Sequence, residues 1–236
     1  MSAPKLVAVT VAAVMLVGWS VRAFVVDDDP TGASSVAAAP AAGVGTNDPA
    51  TQVPVVAAAT ERGIPVGYPQ SRRGAATAAV NWVASFPALM QLNPLSLQNA
   101  LVDVMSAQGA VTFVDDAIAD YVALLDGLGP GARERMWIES PLQSTVFTAT
   151  DTAASVGVWS LVVTGGVDDA AVTALWRTHR IELVWERDDW KIDEVVIVEG
   201  PTPVGAEGAL PSPSLEFTDV GSWEPAVFAD TTKGVD

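Results

Sequence analysis

The stretch 181-IELVWERDDWKIDEVVIV-198 decides the fold. Ile181, Leu183 and Trp185 fall on one parity, and Glu186-Arg187-Asp188-Asp189 is turn text. Trp190, Ile192, Val196 and Val198 then alternate on the way back. A period of two on both sides of a short polar turn specifies an antiparallel hairpin. The first strand extends back to Ala171, where Trp176 sits on the opposite parity from Ile181. One extra residue near Thr178–Arg180 would reconcile them, so a bulge is expected there.

Upstream, residues 142–150 and 153–163 are β-branched, bounded by turn residues, and read as two more strands. Three helices precede them. Ser71 is a candidate N-cap for a helix over Gly74–Phe86, with Val80, Trp82, Val83 and Phe86 at helical spacing. Asn93 then Pro94 is a cap and first-turn pair, followed by Leu97, Leu101 and Val104. Thr112 with Asp115 resembles a weak capping box, and Val114, Ile118, Tyr121 and Leu125 form the third stripe. Gly127, Gly129 and Pro130 end it. Helices ahead of an antiparallel sheet give an α+β domain over residues 61–199.

The flanks differ in composition. Residues 6–26 are apolar apart from Thr10, Ser20 and Arg22, close to the 20 or so residues that span a bilayer. Residues 1–26 are therefore expected to be a transmembrane anchor, N-terminus inside, on the weak balance of Lys5 and the α-amine against Arg22. A signal peptide cleaved after Val21-x-Ala23 is the rival, and a buried soluble helix the third reading. Residues 27–60 are Ala/Pro/Gly text with no aromatic, a linker too poor in apolar bulk to order itself. Residues 200–236 form an acidic Pro/Gly-rich tail.

Twenty-eight acidic against 12 basic residues give a net charge of −16, which repels nucleic acid. No Cys and a single His exclude thiol chemistry, disulfides and multi-His metal centres. No cofactor is expected.

Three helices, then an antiparallel sheet ending in the 181–198 hairpin, resemble the nuclear transport factor 2-like fold. Asp188-Asp189-Trp190 stands where many such domains read Gly-Asp-Trp. Taken with the N-terminal apolar segment, the linker and 65-PVGYPQSRRGAATAAVNW-82, the chain is similar to a family of membrane proteins encoded on actinobacterial integrative conjugative elements. That wider group resembles the VirB-type bitopic scaffold of type IV secretion. The resemblance implies a cone-like domain of three helices on a bent antiparallel sheet, held outside the cytoplasmic membrane. It implies a scaffold of a conjugative DNA-transfer apparatus, not an enzyme. Its partners would be other channel subunits, with a second copy of the chain also open. Fold alone does not settle function.

The candidate partner-binding residues are Arg72, Arg73, Trp223 and Phe228. Arg72 and Arg73 sit in a helix first turn, where two cations oppose the helix dipole by a few tenths of a kcal/mol each. They mark an anion site, or more plainly a capped helix start whose arginines are solvated or pair with acids elsewhere. No Walker or dinucleotide loop accompanies them. Trp223 and Phe228 lie in 222-SWEPAVF-228, either as a partner motif or as a segment folding back on its own domain. Asp115, Asp116 and Asp120 read as a wet helix face. Asp103 is the carboxylate placed to point into a cone, and His179 reads as a surface strand residue in the bulge. Without a nucleophile–base pair in view, an enzymatic or small-molecule-binding domain is the alternative function.

Overall fold

The computed structural model describes residues 58–60, 63–129, 135–165, 172–203, 220 and 222–228. A two-residue pair, β1 (Ala58–Ala59) and β2 (Pro65–Val66), leads to three helices: α1 (Arg72–Leu89), α2 (Pro94–Val104) and α3 (Ala107–Leu128). Five strands follow: β3 (Met136–Ala149), β4 (Ala153–Gly165), β5 (Thr173–Glu186), β6 (Asp189–Glu199) and β7 (Glu224–Pro225). They form one antiparallel sheet in the order β6-β5-β4-β3-β7.

The helices cover one face of the sheet. Helix α1 lies along β3 and β4, α3 reaches β6, and α2 packs on α3. Ala75, Ala78 and Ala79 are buried, so small side chains bring α1 close to the strands. Inward residues alternate along β4 (Ala154, Val156, Val158, Ser160, Val162) and β5 (Arg177, His179, Ile181, Leu183). Each apolar side chain fully buried there contributes roughly 1.5–3 kcal/mol.

Local chemistry explains the boundaries. Ser71 accepts from Gly74 N and Asn93 from Ser96 N, the two caps expected. The third helix starts earlier than Thr112: Ser106 is its cap, accepting from Gly109 N and donating to Asp193 at 2.5 Å. Arg187 and Asp188 both take positive φ, 54° and 56°, as a two-residue type I′ hairpin turn requires. The Arg187 guanidinium donates to Met105 O at 3.0 Å and holds that turn against the start of α3.

The bulge lies elsewhere than Thr178–Arg180. Strand β5 pairs with β4 without a break from Val184 to Thr173, and Trp176 simply faces outward, stacked on Trp159 at 4.7 Å. The register shift falls between Glu182 and Leu183, opposite Asp193 of β6. That extra residue flips the end of β6: Val195 is buried, while Val198, expected inside, is 51% exposed.

The expected fold class is corrected. An α+β arrangement of three helices and an antiparallel sheet is present, but no helix among the described residues is long and apolar enough to cross a membrane. The transmembrane helix expected at residues 6–26 lies outside the described residues, as does most of the 27–60 linker. The nuclear transport factor 2-like cone is not retained. The space between α1 and the sheet is filled by Trp82, Phe86, Trp137 and the side chains they enclose.

Candidate functional site

The densest chemistry is inside the sheet's helix-covered face. Glu139 on β3, Ser160 on β4 and Arg177 and His179 on β5 are all buried there. Pairing brings Arg177 opposite Ser160 and His179 opposite Val158. Glu139 accepts from Arg177 through both carboxylate oxygens, with the Nε bond to Oε1 at 2.7 Å. Ser160 Oγ donates to Oε1 at 2.8 Å, and His179 Nε2 meets the same oxygen at 2.6 Å. The guanidinium also lies over Phe86 at 5.1 Å and Trp137 at 5.8 Å. Trp82 stands edge-on to His179 at 6.4 Å.

The electrostatics follow. Burial alone would raise the Glu139 pKa, but the His179 ring and the Arg177 guanidinium hold the carboxylate down at about 2. Burial pushes the His179 imidazole below its ordinary range, with Arg177 assisting and Glu139 opposing. A neutral ring donates from Nε2 to Glu139 and leaves Nδ1 as acceptor. Nδ1 of His179 and the indole nitrogens of Trp82 and Trp137 find no hydrogen-bond partner among the described residues.

Both shifts work in one direction with pH. The unfolded chain protonates His179 near 6.5 while the folded chain resists, so stability is full above 6.5 and falls below it. Glu139 adds stability present above 4.5 and lost as pH falls toward 2. Lowering the buffer from about pH 7.5 to about 5.5 should therefore lower the melting temperature of the wild type more than that of His179→Gln. Glutamine keeps a donor for Glu139 but does not titrate. Thermal melts of both proteins at several pH values check this, and parallel losses would remove His179 as the source.

A second polar joint ties the start of α1 to β6. Asp189 Oδ1 accepts from Tyr68 N and Trp190 N, each at 2.9 Å, and Oδ2 pairs with Lys191 at 3.0 Å. Lys191 also donates to the backbone carbonyl of Asp103. Burial, then the Asp189 carboxylate, push the Tyr68 phenol up. A cavity of about 20 Å³ lies against Tyr68, Trp82 and Asp189, room for one water.

The residues expected to act in binding are not brought together. Arg72 donates to Val146 O at 2.6 Å, fastening α1 to β3, while Arg73 lies half-buried in the same turn. Trp223 packs edge-on against Phe147 at 5.7 Å, beside β3 and β4, and Phe228 is 50% exposed. Asp103, Asp115 and Asp116 are exposed, so Asp103 does not reach the interior. Asp120 is raised by partial burial and by Asp116. His179, expected at the surface, is fully buried. Its parity with Ile181 and Leu183 was the available signal, and the assumed bulge at 178–180 concealed it.

Chemically, the order of groups matters. A nucleophilic triad places imidazole between hydroxyl and carboxylate. Here the carboxylate stands between Ser160 and His179, so the ring cannot take the serine proton. No group of three or more metal-ligating side chains occurs among the described residues. No protein-family model matches the chain, and no curated protein matches it. Among solved structures it is similar to the intermembrane space region of the chloroplast protein ARC6, at 18% identity. That likeness covers 53% of this chain and 97% of the other with a TM-score of 0.33.

Proposed function

We propose that this protein is an assembly component of a conjugative, type IV secretion-like DNA-transfer apparatus, working through protein–protein contacts and not through catalysis. The observation that carries the contact-making part is the sheet face turned away from the helices. Met136 and Ile138 of β3 are each 46% exposed there, and Val172, at 63%, lies beside Met136 across Gly165. Exposed apolar side chains grouped on one face mark surfaces that other proteins cover. Inside, the titratable groups are bound to one another, and Ser160, Glu139 and His179 stand in an order that weighs against the alternative of an enzymatic domain. The conjugative setting and the location at the cytoplasmic membrane rest on sequence: the apolar residues 6–26 and the resemblance carried by 65–82 and 181–198. Arg72 and Arg73 contribute a basic point on an otherwise acidic protein, suited to acidic partners.

Crosslinking in intact cells, pull-down through a C-terminal tag and mass spectrometry test this. Conjugation-channel subunits should be enriched, and Ile138→Glu with Met136→Glu should reduce them several-fold by placing charge in the contact. Recovery of this protein alone, under conditions that capture a known membrane complex, would sink the proposal.

A further inference from the structure

The tail does not merely end. After Pro203 the described chain resumes at Val220 and Ser222, and residues 223–226 lie against the sheet. Glu224 and Pro225 pair with Ser144 and Gln143 on the edge of β3, and Ala226 N donates to Leu142 O at 3.0 Å. Trp223 fills a seat made for it. A Cβ on Gly157 of β4 would come within 2.7 Å of the indole and 2.9 Å of the Phe147 ring. Only glycine at 157 lets both rings lie on the strand. Arg180 completes the seat, 5.2 Å above Phe147.

This docking is specific but small. It uses two strand residues and one aromatic anchor, at a point where β3 already carries a register shift between Pro141 and Gln143. Contacts this few belong to the low-stability end of a fold and open readily. The sixteen residues 204–219, VGAEGALPSPSLEFTD, connect the seat to the end of the sheet. Extended, they span roughly 50–60 Å. That reach allows a tail to serve its own domain or a neighbouring one. A segment that fits its own chain fits an identical chain equally well, which is the low-cost route to strand exchange.

We propose that the tail is exchanged between two copies of this protein, each seating its Trp223 and β7 strand on the Gly157–Phe147 surface and β3 edge of the other. The purpose of that link rests on the scaffold reading, and the link itself does not. Within one chain the effective concentration of the tail is about millimolar, so exchange dominates where copies are crowded, as in an assembly.

The absence of native cysteine allows a clean test. Residues 143 and 225 face each other across the strands, a spacing suited to a disulfide. The full chain carrying Gln143→Cys and Pro225→Cys together should close on itself at low concentration. Full chains carrying only one substitution each, mixed and oxidised, should form a crosslinked heterodimer whose yield rises with concentration. Trp223→Ala on the tail-donating chain, or Gly157→Val on the accepting one, should lower that yield about tenfold or more. Trp223→Ala on the accepting chain should raise it by emptying the seat. Self-closure with no heterodimer at any concentration would overturn exchange. So would a heterodimer indifferent to Trp223, which is random collision, or a double variant that never closes. None of these results bears on whether channel subunits are captured.

Discussion

Arg177→Met is expected to destabilise the domain by about 3–5 kcal/mol, because it strands the Glu139 carboxylate in the core. Arg177 is 2% exposed and neutralises a carboxylate that is itself 5% exposed. Without the guanidinium, Glu139 keeps only Ser160 and His179 as partners, and the neutral ring cannot balance a charge. The cation also leaves the faces of Phe86 and Trp137, although methionine refills part of that volume. Against a typical total stability of about 5–15 kcal/mol, this is a large share. The double variant Arg177→Met with Glu139→Leu should recover most of the loss, since removing both charges also removes their desolvation. Urea unfolding of the two singles and the double gives the coupling directly. A single variant within about 1 kcal/mol of wild type would mean the pair behaves like a surface salt bridge. That outcome would contradict its burial.

The hairpin around residues 186–189 was legible because local chemistry suffices for it. Alternation on both sides fixes the strands, and the polar turn tolerates positive φ at Arg187 and Asp188. The caps at Ser71 and Asn93 were legible for the same reason: donor and acceptor lie three residues apart. What escaped depends on distant partners. Ser106 caps α3 but is held by Asp193, 87 residues away, so Thr112 looked like the better start. Glu139 sits in 136–141, ahead of the β-branched run that marked the strand, and nothing nearby announces that Arg177 neutralises it. The opposite parities of Trp176 and Ile181 call for a bulge at 178–180 only if both side chains face the core. Trp176 instead stacks on Trp159 outside, where Trp159 donates to Pro201 O at 3.1 Å. Likewise, Trp223 could not be assigned to its own domain from composition. The seat depends on what Gly157 lacks, and a missing side chain has no periodicity.

Arg72 and Arg73 open the helix whose start holds the domain together, and that gives the second large effect. Gly74→Ala should destabilise by about 2–4 kcal/mol, against the helix-propensity gain of roughly 1 kcal/mol that alanine normally brings over glycine. A Cβ there would stand 1.9 Å from the Pro69 carbonyl oxygen and 3.0 Å from its carbon. Backbone cannot swing aside as a flexible side chain can. That oxygen already accepts from Trp190 Nε1 at 2.9 Å and from Ser71 N at 2.8 Å. Moving it breaks both bonds and pulls on Tyr68, whose N–H holds Asp189. Gly127→Ala is the matched control. It lies near the end of α3, a Cβ there meets nothing within 4 Å, and it should stabilise by about 0.5–1 kcal/mol. Thermal and urea unfolding of the two variants should therefore give opposite signs. If Gly74→Ala stabilised as Gly127→Ala does, the turn at Pro69 would be free to move. The 67–74 segment would then be an adjustable loop able to adapt to an anion, and not a fixed joint between α1 and the hairpin.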